Sequence, residues 1–191
     1  MKAAVRELLE RALELARAGV RVYEAALGCA VHDQLEEQWQ DDLSQIRRHE
    51  RALRTAATRM GVDPEAETSL RLVVRQQARA ITEALEQASA KAPDAEAERL
   101  AAECVLEWES RTRVAWDLLY ELAAITTDEV GEALRTACAE APDQQEERVH
   151  RARAWARSLW LAALGRPNAV PARRKRPRRP RASPPSNAGA A

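Results

Sequence analysis

The placing of the prolines constrains this chain more than any other feature. They stand at 64, 93 and 142, and the remaining six of the nine fall from Pro167 onward. A proline lacks the backbone donor and clashes with the turn before it, so it ends helices. Three such stops divide the first 165 residues into long unbroken stretches. Within each stretch apolar residues recur every three or four positions, the helical period, rather than alternating as in strands. Six glycines, no phenylalanine and abundant Ala, Leu, Glu and Arg point the same way. They favour helix and exclude a β-sandwich or a Rossmann sheet. The expected class is all-α.

Five punctuation points set the division: Gly61-Val62-Asp63-Pro64, Ala92-Pro93-Asp94, Thr126-Thr127-Asp128-Glu129, Ala141-Pro142-Asp143 and Gly165-Arg166-Pro167-Asn168. The Thr126–Glu129 group offers cap residues with acids, which suit a helix start. The spacing predicts helices over 3–34, 37–60, 66–91 and 95–125, then a broken last pair over 128–140 and 144–164. The turn near Gln34–Glu37 is placed from length alone, because no proline divides Ala3 from Met60. Helices joined by short loops pack antiparallel, which gives a bundle over 1–165. That body carries 22 basic and 30 acidic residues, a net charge of −8. The remainder, 166–191, carries eight basic residues and no acidic one. Rich in Pro and Arg and without a hydrophobic pattern, it is expected to be a disordered basic tail.

Cys29, Cys104 and Cys138 are odd in number, far apart and in no Cys-x-x-Cys pair. That fits a reducing cytoplasm better than a disulfide framework. The opening MKAAVRELLERALELARAG brings in Glu7 and Glu10 before any long apolar run, so it reads as an amphipathic helix rather than a secretory signal. No stretch approaches the roughly 18 apolar residues of a membrane span. The expected location is cytoplasmic, with no membrane partner. A phosphate-binding glycine loop, a nucleophile elbow and a paired-cysteine zinc motif are all missing from the sequence.

The informative residues are polar ones set where the helical stripe calls for apolar ones. In the first helix the stripe reads Leu13, Ala16, Val20, Glu24, Leu27, Val31, with Glu24 in its middle. In the second it reads Leu35, Trp39, Asp42, Ile46, His49, Leu53, Ala56, Met60, broken by Asp42 and His49. One face of 95–125 reads Ala102, Leu106, Glu109, Thr112, Trp116, Leu119, Ala123, broken by Glu109. The last helix has Glu147 and His150 at i, i+3 on one face. A turn centred near 36 brings Glu24 and His49 to one height on antiparallel neighbours, and a turn centred near 128 does the same for Glu109 and Glu147. Inward carboxylates on several helices call for a common partner.

In these residues the chain resembles the ferritin-like superfamily, nearest to uncharacterised bacterial stress-associated ferritin-like proteins. The likeness covers about residues 15–165. It rests on Tyr23-Glu24, Leu43…His49-Glu50, Ala102-Glu103-Cys104…Glu109 and Glu146-Glu147-x-x-His150, and on the order of two helices, a helical crossover, then two more. The resemblance implies an up-down bundle with an extra helix in the crossover and a carboxylate-bridged iron or manganese centre in a stress-protection role. It implies Glu24, His49, Glu109, Glu147 and His150 as ligands. Asp42, Gln45 and Glu103 are weaker candidates, since Ile46 occupies the place of a Glu-x-x-His partner to His49.

Plainer readings stand beside these. Glu24 and His49 also fit a hydrogen-bonded pair inside a bundle. Glu109 has Arg113 at i+4, and Glu103 and Glu107 read as surface charge. Trp39, Trp108, Trp116, Trp155 and Trp160 fit core or interface positions. The run Arg173–Arg181 has seven basic residues in nine. It fits salt-sensitive, sequence-independent contact with nucleic acid or another polyanion, a solubility tail, or a dock for the acidic body of a neighbouring subunit in a homo-oligomer. The alternative to a metal protein is therefore a non-catalytic helical interaction protein with a polyanion-contacting or DNA-contacting tail.

Overall fold

The structure is a computed structural model that describes residues 3–139 and 141–166, and over these it is all-helical. Its elements are α1 (Ala3–Leu27), α2 (Asp33–Arg59), α3 (Ser69–Lys91), α4 (Asp94–Ile125), α5 (Glu129–Cys138) and α6 (Ala141–Ala163). The expected tail from 167, including Arg173–Arg181, lies outside the described residues. No helix among the described residues is long and apolar enough to cross a membrane.

Alternating direction organises the bundle. α1 packs on α2 and α4, and α4 packs on α6, whose other side touches α2. These four close a ring of antiparallel neighbours. Arg47 of α2 meets Glu24 of α1, and Gln145 of α6 meets Glu109 of α4. α5 continues the line of α6 along the second half of α4, with α2 on its other side. The broken last pair thus acts as one helix of the ring. α3 lies outside it, in the groove between α1 and α4.

Local sequence sets most of the boundaries. Asp128 Oδ1 accepts the backbone N–H groups of Val130 and Gly131, 3.0 and 3.2 Å away, capping α5 where Thr126–Glu129 was expected to start a helix. Gly131 is required there by packing. A Cβ on it would lie 1.9 Å from the Thr126 carbonyl oxygen. Gly61, with φ of 68°, ends α2 in the left-handed conformation that favours glycine. Beyond it, buried Arg71 donates to the carbonyls of Asp63, Pro64 and Ala66 and holds the connection to α3 together. Pro142 falls within the first turn of α6 rather than before it, where its missing N–H costs nothing.

The first turn departs from expectation. It occupies 28–32, not 34–37, and α2 begins at Asp33. The physical reason is tertiary. Glu98, buried on α4, accepts the backbone N–H groups of Val31 and His32 at 2.6 and 2.7 Å through one oxygen, and faces His32 Nδ1 at 2.6 Å with the other. A carboxylate 66 residues away thus caps the start of α2, and no local pattern announces it.

Two apolar clusters fill the ring. One joins Leu9, Leu13, Leu53, Trp116, Leu119, Leu134 and Cys138 at the α5 end. The other joins Tyr23, Leu35, Trp39, Ile46, Ala101, Ala156 and Leu159 at the opposite end. Between them lies a belt of buried polar side chains.

Candidate functional site

The belt is supplied by α2, α4 and α6, through buried positions on their inward stripes and through Gln45 and Arg151, which flank the stripes and are half-buried. Asp42, Gln45 and His49 come from α2, Glu109 from α4, and Gln145, Arg148 and Arg151 from α6. Glu109, Gln145 and Arg148 are each at most 1 % exposed. Burying a charge costs several kcal/mol unless it is paired and fully hydrogen-bonded, and both carboxylates here are paired. Glu109 Oε2 accepts from Gln145 Nε2 at 2.5 Å and from Arg148 Nε at 3.2 Å. Asp42 Oδ1 accepts from Arg151 Nη2 at 2.6 Å.

Arg148 stands at the centre. Its Nη1 donates to Gln45 Oε1 at 3.0 Å, and its Nη2 donates to Gln145 Oε1 and faces His49 Nδ1 at 3.5 Å. On its other ring nitrogen His49 approaches Gln144 Oε1 at 3.0 Å. The neutral imidazole with the proton on Nε2 satisfies both contacts, since it donates to an amide oxygen and accepts from a guanidinium. Burial, and after it the Arg148 charge, lowers the His49 pKa to about 4, so the ring is neutral at pH 7. Its edge meets Trp116, with ring centroids 5.2 Å apart. Burial raises the Asp42 pKa, outweighing the opposing pull of Arg151. Tyr23 closes the belt from α1. Its fully buried hydroxyl is pushed well above its usual range by burial and by the Glu109 and Asp42 charges.

The candidate ligands separate into two sets. Gln45, His49 and Glu109 meet around Arg148, and Asp42 faces inward beside them, held by Arg151. Glu24, Glu147 and His150 do not join them, and their inward placing is corrected. Glu24 is half-exposed and pairs with Arg47 at 2.7 Å. Glu147 is exposed and pairs with Arg151 at 2.5 Å, and His150 is also exposed. Glu103 is exposed and accepts from Trp160 Nε1 at 2.6 Å. Glu24 does lie level with α2 near 47, and Glu109 level with 145–148. The facing was off by one residue, about 100° of turn. Tyr23, not Glu24, points inward, and so does Arg148, not Glu147.

A two-metal carboxylate centre does not fit these side chains. It needs several anionic ligands free to converge, and here Arg148 and Arg151 already hold Glu109 and Asp42. Ile46 belongs to the apolar core. Among the described residues, no group of three or more His, Cys, Asp or Glu side chains is arranged to hold a metal ion.

Sequence reasoning missed Gln145, Arg148 and Glu98. The signal for the first two was present in the repeat Ala141, Gln145, Arg148, Ala152, Ala156, Leu159, which runs three or four apart along one face of α6. The three cysteines are free, and burial holds Cys29 and Cys138 up to about 11. They are inert thiols at neutral pH. No family model, no curated protein and no solved structure matches this chain.

Proposed function

We propose that the chain is a non-catalytic helical interaction protein, built on a bundle of ferritin-like order and carrying no metal centre of its own. The order is supported by the alternation of α1, α2, α4 and α5–α6 around the ring, with α3 as the helical crossover outside it. The observation that carries the functional reading is the neutralisation of both buried belt carboxylates by arginines of the same chain. At Glu109 a substrate or metal ion would have to displace the Arg148 guanidinium, which is itself buried and satisfied from three helices. The partner side of the proposal rests on the run Arg173–Arg181, whose charge density suits polyanions and whose lack of aromatics disfavours stacking on bases.

Elemental analysis of full-length protein purified without an affinity tag tests the first half. Trace iron and manganese are expected, and stoichiometric amounts of either would restore the metal-centre reading. A gel shift with duplex DNA tests the second. Retardation at low salt that vanishes at high salt is expected. Retention that ignores salt, or none at low salt, would end the polyanion reading.

A further inference from the structure

The belt has a geometry that goes beyond neutralising a charge. The Arg148 guanidinium is planar, and acceptors from α2, α4 and α6 surround its edge: Glu109 Oε2 at Nε, Gln45 Oε1 at Nη1, and Gln145 Oε1 with His49 Nδ1 at Nη2. Gln145 and His49 are each held in place by a further contact. Gln145 presents its oxygen to Arg148 because its amide nitrogen is committed to the side chain of Glu109 and to the Glu109 carbonyl, 3.0 Å away. His49 presents an unprotonated Nδ1 because its Nε2 faces Gln144.

The charge count is equally selective. Of the surrounding acceptors only Glu109 is anionic, since Gln45, Gln145 and neutral His49 carry no charge and Asp42 is engaged by Arg151. One buried negative charge matches a monovalent cation. A divalent ion would leave excess positive charge in the apolar interior, which is strongly unfavourable. A compact ammonium has too few donors, spread tetrahedrally, to reach acceptors lying around one plane.

We infer that the position bounded by Glu109, Gln45, Gln145 and His49 is a binding site for a planar, multi-donor monovalent cation, filled in this protein by its own Arg148. The inference rests on the reading that the interior holds no metal. Its consequence is that Arg148→Ala leaves a vacancy specific for guanidinium-type cations.

Thermal melts of the full chain test this. Arg148→Ala removes one partner of a buried pair and should lower Tm by about 10 °C or more. Guanidinium chloride at about 10 mM, far below its molar denaturing range, should return several degrees to the variant and none to the wild type. Ammonium chloride, urea and manganese chloride at the same concentration should return nothing. Absence of recovery with guanidinium, or equal recovery with ammonium, overturns the inference while leaving a metal-free elemental analysis of the wild type untouched. Recovery with manganese overturns the inference and the proposed function together. If Arg148→Ala does not fold, Arg148→Lys keeps the charge without the planar fork. A clear fall in its Tm is expected, and a wild-type Tm would show that a point charge suffices and end the proposal.

Discussion

The α5 end of the bundle and the polar belt beside it share helices and adjoin through Trp116, yet they are held by different physics. At the α5 end Leu13, Trp116, Leu119, Leu134 and Cys138 meet through apolar area alone, a non-directional attraction that many side chains of similar volume satisfy. In the belt most contacts are directional, and Glu109, Arg148, Gln145, Gln45, His49 and Asp42 each depend on a named partner on another helix. The apolar end therefore tolerates substitution in proportion to volume lost. The belt tolerates almost none, because any change leaves a buried donor or charge unpaired.

The largest expected effect comes from breaking the belt. Glu109→Ala strands the Arg148 guanidinium and the Gln145 amide in an interior where both are at most 1 % exposed. It should cost about 3–5 kcal/mol. Leu134→Ala at the apolar end should cost about 2–5 kcal/mol, so truncation alone separates the regions poorly. Volume-conserving changes separate them well. Leu134→Met should cost less than about 1.5 kcal/mol, and Glu109→Gln, equally close in shape, should cost clearly more because it removes the counter-ion of a buried charge. Urea denaturation of the two variants decides it. Equal midpoints would mean that the belt is held no more specifically than the apolar end.

Acid sharpens the same contrast. The folded His49 pKa, about 4, lies below its ordinary 6.5 through burial and the Arg148 charge. A depressed folded pKa means that the unfolded chain takes up the proton first. The stability this gives is present above 6.5 and is lost as pH falls toward 4. About 2 kcal/mol should disappear between pH 7 and 5. Asp42 works in the opposite sense, since its raised folded pKa favours the folded state as pH falls. Both proteins share that contribution, so the difference between wild type and His49→Gln isolates the imidazole. Parallel stability curves from pH 7 to 5 would show that His49 titrates freely. Cys138, at the apolar end and held up at about 11, contributes no pH dependence in this window.

How much of this was legible follows from the same contrast. The stripes of α2 and α4 were readable down to Asp42, His49 and Glu109, because apolar residues recur at helical spacing on both sides of them, although Met60 and Leu106 are only half-buried. The order of the later elements was readable from prolines and caps, and the division of α1 from α2 from length alone. α1 and α6 were misread by one residue, and for a shared reason. Both are rich in alanine, so several faces offer a plausible stripe, and spacing alone does not separate Glu24 from Tyr23 or Glu147 from Arg148. The turn at 28–32 was misplaced because its decisive partner, Glu98, acts from α4. Contacts closed by tertiary structure leave no local period.

The smallest expected effects test that one-residue lesson directly. Glu24 and Tyr23 are adjacent in the chain, as are Glu147 and Arg148, yet each pair divides between surface and interior. Glu24 meets Arg47 with both side chains 49 % exposed, and Glu147, itself 68 % exposed, meets an Arg151 that is also held by Asp42. Exposed pairs of this kind contribute about 0–1 kcal/mol, since water screens the attraction and two long side chains lose freedom in making it. Glu24→Ala and Glu147→Ala should therefore each shift stability by less than about 1 kcal/mol, and the shift should shrink further in high salt. Tyr23→Ala, one position away, vacates a fully buried ring and should cost about 3–5 kcal/mol. A change in chain position of one residue thus separates a nearly silent substitution from one that threatens the fold. A salt-independent loss of several kcal/mol at Glu24 or Glu147 would place those carboxylates inside the bundle after all.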